Sequence, residues 1–199
     1  MKYFCDTQIV NSIRYFAEGI YQPISQIIYH LITLQYYDEC FFNPNFCSNF
    51  VPWSMREFIQ LWKEGRTRFT NQLANIKQED LSKRLGGSPN SAGFLIRHMA
   101  EVELLFAKNV FGNLAVKVDA QTLKSVKDTG EWTDLEELLA LVEEAGRQLE
   151  IAIASQEDWE AVIETKEFGK KTKAESLGRI TTHTAYHAGQ LAIILKYGS

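Results

Sequence analysis

Along residues 55–199, apolar side chains return every three or four positions, the spacing of helices that each bury a single stripe. Phe58, Leu61, Trp62, Phe69, Leu73 and Ile76 follow this rhythm and predict a first helix over about 55–76. At its start Ser54 and Glu57 have capping-box spacing, with Trp53 and Phe58 placed as a hydrophobic staple. Gly86-Gly87-Ser88-Pro89 then breaks the chain. A second helix is expected over about 91–111, with Leu95, Val102 and Leu105 on its apolar side and Gly112 as its stop. The third begins at Thr133, boxed by Glu136, and carries Leu135, Leu138, Leu139, Val142, Leu149 and Ile153. A fourth runs over about 172–197, opened by Thr172 and Glu175 and closed by Gly198.

Four such helices can bury their stripes only against one another. The expected fold is therefore all-α, an antiparallel four-helix bundle. Residues 113–132 and 156–171 are too long for hairpin turns, so at least one long connection, a crossover or ordered loop, is expected. Lys166, Lys170, Lys171 and Lys173 cluster in and beside the second of these and read as a solvated loop.

Residues 1–54 have a different character. They hold 13 of the 24 aromatic residues but only six of the 46 charged ones, and no steady apolar period. The domain reading is thus a bundle over 55–199 preceded by an N-terminal extension over 1–54. That extension is either a helical segment covering an apolar face, or translated upstream sequence with Met55 as the true start. The first residues lack a secretory pattern, and the most apolar stretch, 20–37, is interrupted by Gln22, Pro23, Ser25, Gln26, His30 and Gln35. No membrane span is expected, and the location is read as cytoplasmic. Cys5, Cys40 and Cys47 show no CxxC spacing and read as free thiols. A net charge of −4 and a pI of about 5.6 argue against a nucleic-acid partner.

Three histidines fall on the helices. His98 is in register with Leu95, Val102 and Leu105, hence on the buried side of the second helix. His183 and His187 are four residues apart on the fourth, about 40° around its axis and roughly 6 Å along it. Two imidazoles so spaced can share one ion, and a third from a facing helix would complete a three-nitrogen cup. Spacing alone leaves a second reading open, in which neutral imidazoles are hydrogen-bonded core residues partnered by groups such as Thr184 and Tyr186. Gln190 follows His187 by three residues on the same side, and Glu101 follows His98 by three. Either could orient a ligand from the outer sphere, although Glu101 also reads as a helix-surface carboxylate. Gly189 reads as an aid to close helix packing.

Two segments carry a family resemblance. Ser91-Ala92-Gly93-Phe94-Leu95-Ile96-Arg97-His98-Met99-Ala100-Glu101 resembles the second-helix signature of the DinB-like (YfiT-like) superfamily of metal-binding four-helix bundles. His183-Thr184-Ala185-Tyr186-His187-Ala188-Gly189-Gln190-Leu191 is similar to its fourth-helix HxxxHxGQL signature. The resemblance spans about 55–199. It implies one divalent ion (zinc, nickel, iron or manganese) held by His98, His183 and His187, a small-molecule substrate as partner, and a homodimer as a common assembly.

The chemistry narrows further. Zinc-protease hydrolysis needs a glutamate after the first histidine, where this chain has Thr184. A di-iron carboxylate centre needs glutamates beside His183 and His187, and there are none. Activation of a thiol requires only a Lewis acid. The resemblance includes enzymes that transfer low-molecular-weight thiols such as bacillithiol or mycothiol. The leading expectation is accordingly a metal-dependent thiol S-transferase with a low-molecular-weight thiol as co-substrate. Metal-assisted hydrolysis and a non-enzymatic, stress-related metal-binding bundle are the alternatives.

Overall fold

The computed structural model describes residues 53–125, 128–165 and 169–199, with side chains from residue 56 onward. The chain divides into two units, and the account below concerns the one over Pro52–Ser199. The expectations for residues 1–52, including the three cysteines, lie outside the described residues.

The four predicted helices are present as α1 (Trp53–Leu73), α2 (Ala92–Leu105), α4 (Leu135–Ala154) and α5 (Lys173–Tyr197), with a single short turn, α3 (Gln121–Lys124), between α2 and α4. Ser91 caps α2 by accepting from Phe94 N at 3.2 Å, and α5 opens with the Thr172–Glu175 capping box. Two starts differ from expectation. α1 already includes Trp53, so Ser54 lies inside the helix and is not its N-cap. α4 is capped by Asp134, which accepts from Glu137 N at 3.0 Å, one residue later than the Thr133–Glu136 frame. Gln78 selects this frame: its amide donates to Thr133 O and accepts from Leu135 N, fixing the backbone just before the first turn. The second helix continues through a π turn, Phe106–Val110, before Gly112 stops it at a φ of +76°.

α1 packs on α5 and α4, and α2 packs on the same two helices, so α1 and α2 face each other across the bundle. Paired contacts give the directions. Gly65 meets Thr181 and Gln72 Nε2 donates to Ala188 O, so α1 and α5 run parallel. Lys63 pairs with Glu150 while Gln78 meets Leu135, so α1 and α4 are antiparallel. Arg97 pairs with Glu137 and Asn113 with Gln148, which makes α2 and α4 parallel. The order is up, down, down, up. Two parallel neighbours in sequence require a crossover, and the segment after the π turn supplies it by running back along α2. Gly93 marks its closest approach: a Cβ there would overlap the Trp132 carbonyl oxygen.

The second long connection is an ordered hairpin, on which Lys170 is solvent-exposed as expected; Lys166 lies outside the described residues. Val162–Thr165 (β1) and Gly169–Thr172 (β2) form a two-stranded antiparallel hairpin that places Lys170 and Lys171 on β2 and Lys173 at the head of α5. Four residues per strand are too few to show an alternating period in sequence.

The core is the common interior of the four helices, with Phe69, Leu95, Met99, Leu138, Leu149, Ile153, Leu177, Ile180 and Leu191 almost fully buried. No helix among the described residues is long and apolar enough to cross a membrane.

Candidate metal centre

α2 and α5 are antiparallel neighbours, and this brings residue 98 level with residues 183 and 187. His98 Nε2 lies 3.3 Å from His183 Nε2. The ring centroids are 5.2 Å apart for His98 and His183, 4.9 Å for His98 and His187, and 4.5 Å for His183 and His187. One ring nitrogen from each falls within 4.8 Å of the others, and no Asp, Glu or Cys joins the group among the described residues. All three histidines are half-buried, each keeping part of its surface accessible to solvent.

Burial keeps the rings neutral. His98 is lowered to about 4, first by desolvation and then by the His187 ring. His183 is lowered to about 3 by desolvation, with His187, His98 and Arg179 adding to it. His187 is lowered by desolvation as well, opposed by its bond to Gln190. Neutral imidazoles are the protonation state that ligates metal.

The outer nitrogens have partners. Gln190 Oε1 accepts from His187 Nδ1 at 2.6 Å, and Gln190 Nε2 donates to Tyr186 Oη at 3.2 Å, which fixes the amide's orientation. His98 Nδ1 is 3.2 Å from Thr122 Oγ1, and that hydroxyl bonds to Glu101. Glu101 is therefore no surface carboxylate. It is 1% exposed beneath the crossover and reaches His98 through Thr122. His183 Nδ1 is buried without a hydrogen-bond partner among the described residues.

A divalent ion fits this donor set. Two tetrahedral ligands at about 2.0–2.1 Å from zinc lie roughly 3.3 Å apart, the separation found between His98 Nε2 and His183 Nε2. In the competing reading, neutral imidazoles are core residues hydrogen-bonded to neighbouring groups such as Thr184 and Tyr186. Thr122 and Gln190 take the Nδ1 atoms of His98 and His187, while the Nε2 atoms of His98 and His183 lie within hydrogen-bond distance of each other. Of the partners expected for a purely structural core, Thr184 is buried and bonds to no imidazole among the described residues, while Tyr186 acts on His187 only through Gln190. Gly189 serves no close packing among the described residues, because a Cβ there would meet none of their atoms within 4 Å. Thr122 is the residue that sequence reasoning missed. It lies in an aperiodic connection, and only the length of that connection hinted that it must pass along α2.

A model of the DinB superfamily matches residues 61–191. Among solved structures, a DinB-like protein of Bacillus subtilis, YjoA, is similar at a TM-score of 0.53 and 15% identity, over 70% of this chain and 90% of that one. At that identity the likeness concerns the fold. No curated protein matches the sequence significantly. The family model takes in α2, α5 as far as Leu191, and His98, His183 and His187, and on that extent of match the chain belongs to the DinB superfamily.

Proposed function

We propose that His98, His183 and His187 hold one divalent ion and that the protein transfers a low-molecular-weight thiol to an electrophilic small molecule. The observation that carries the reading is the convergence of three half-buried imidazoles, each held toward its neutral form by desolvation, beside a carboxylate that is fully engaged elsewhere. Glu101 accepts from Arg97, Gln121 and Thr122, so it has no free lone pair with which to take a proton from water. That weighs against hydrolysis and favours a nucleophile needing no protein base. The ion, when bound, supplies Lewis acidity toward a thiol. In the transfer a sulfur–carbon bond forms, the bond to the electrophile's leaving group breaks, and the thiol proton departs with that group. Gln190 and Tyr186 hold the His187 ring in place at the lip of the cluster, where Tyr186 is 64% exposed.

The test is conversion of a thiol and an electrophile by protein loaded with zinc, nickel, iron or manganese. Activity is expected in the wild type and lost in His187→Ala, and equal turnover by that variant would refute the reading.

A further inference from the structure

The crossover sets α3 (Gln121–Lys124) against the middle of α2, and Thr122, only 4% exposed, is the residue it delivers there. The Thr122 hydroxyl stands between Glu101 Oε2 at 2.5 Å and His98 Nδ1 at 3.2 Å.

Counting protons fixes the direction of both bonds. Glu101 accepts from Arg97 Nε at 2.8 Å, Gln121 N at 3.1 Å, Thr122 N at 2.9 Å and Thr122 Oγ1. Four donors fill the roughly four lone-pair positions of a carboxylate, so Glu101 acts as acceptor only. A threonine hydroxyl has one proton. Once that proton is given to Glu101, the oxygen can offer His98 nothing but a lone pair. His98 must then donate from Nδ1, which leaves its own lone pair on Nε2, the nitrogen facing His183.

We propose that Thr122 is a positioning residue of the metal centre: the Glu101–Thr122 relay holds His98 in the Nδ1–H tautomer and so presents Nε2 as a ligand. Which imidazole nitrogen carries the proton is set by the bond the other makes, and outer-sphere partners of this kind govern metal affinity. The crossover is thereby part of the site, since the same carboxylate that orients Thr122 also ties the amides of Gln121 and Thr122 to α2. The consequence for affinity rests on the metal reading above; the tautomer assignment does not.

The experiment compares wild type, Thr122→Val and Thr122→Ser, uniformly 15N-labelled and metal-free, by long-range 1H–15N correlation of the imidazoles. Wild type and Thr122→Ser are expected to show His98 as the Nδ1–H tautomer, and Thr122→Val to move it toward Nε2–H. Zinc affinity, read by competition with a chromophoric chelator, should fall about 10–100-fold in Thr122→Val and recover in Thr122→Ser. Glu101→Gln reads the relay from its other end and should release the tautomer in the same way. If His98 keeps Nδ1–H in both Thr122→Val and Glu101→Gln, the relay is overturned, whatever happens to their melting temperatures. A wild type that binds no zinc overturns the metal reading alone, and the tautomer comparison still decides this one.

Discussion

Glu103 and His98 stand five residues apart on α2, and each belongs to a polar cluster inside an apolar bundle, yet the two clusters are built in opposite ways. At Glu103, charge meets charge across the bundle. Arg66 Nε donates to both carboxylate oxygens at 3.0 and 3.1 Å, and Arg66 Nη2 donates to Val142 O at 2.6 Å. Burial pushes the Glu103 carboxyl up and Arg66 pulls it back. At His98, His183 and His187 no opposite charge is supplied. Thr122 and Gln190 take the Nδ1 atoms of His98 and His187, and one nitrogen of each of the three rings converges with the other two. Burial alone would rank Glu103 as the more unusual residue. The difference teaches that bonding capacity left unspent, more than depth, separates a site for a ligand from a clamp between helices.

The sharpest way to break this comparison is to remove one half of the clamp. Arg66→Ala should cost about 3–5 kcal/mol, because it strands a buried carboxylate. Chemical denaturation measures the loss, and zinc binding by the molecules that remain folded should be unchanged. A change in that affinity would mean the two clusters are coupled. The second test empties the site instead. His183→Leu should weaken zinc by more than the roughly 10–100-fold typical of an outer partner, while the metal-free protein stays as stable as the wild type or becomes more so. Parallel loss of stability and affinity would make the histidines structural.

These contrasts bear on what the sequence could disclose. The i, i+4 spacing of His183 and His187 and the register of His98 with Leu95 and Val102 were legible, because helical geometry alone determines them. Glu101 was ambiguous, because whether a helical carboxylate is exposed depends on what crosses over it. Thr122 was invisible, since nothing periodic marks the residue that a long strap sets against a helix. The hairpin of Val162–Thr165 and Gly169–Thr172 escaped for the same reason: strands of four residues are too short to show a period. The Asp134 cap was one of two overlapping frames, and a distant side chain, Gln78, decided between them.

A smaller effect sharpens the clamp. A Cβ on Gly146 would lie 2.7 Å from the Arg66 guanidinium carbon. Gly146→Ala should therefore destabilise by about 1–2 kcal/mol, overpacking outweighing the gain in helix propensity, with zinc affinity again unmoved. Equal or greater stability on thermal melting would show that Arg66 has room to shift.

The smallest effect is the pH dependence of the metal-free protein. The folded pKa values of His98 and His183, about 4 and about 3, lie below the ordinary 6.5, so the unfolded chain takes up protons first as pH falls. The stability these neutral rings allow is fully present above pH 6.5 and is lost progressively toward pH 4 and 3. Tm should decline between pH 7 and pH 5, and less steeply in His183→Leu. Glu103, whose carboxyl is raised, contributes in the opposite sense and equally in both proteins. Identical slopes for the two would contradict the burial of a neutral His183.

The central claim is that three imidazoles from α2 and α5 converge on one cation. Calorimetric titration of metal-free protein with zinc tests it most directly, run beside His98→Ala, His183→Ala and His187→Ala. One ion per chain in the wild type, lost in each variant, is the predicted result. Absence of binding in the wild type, or undiminished binding in His183→Ala, would contradict it.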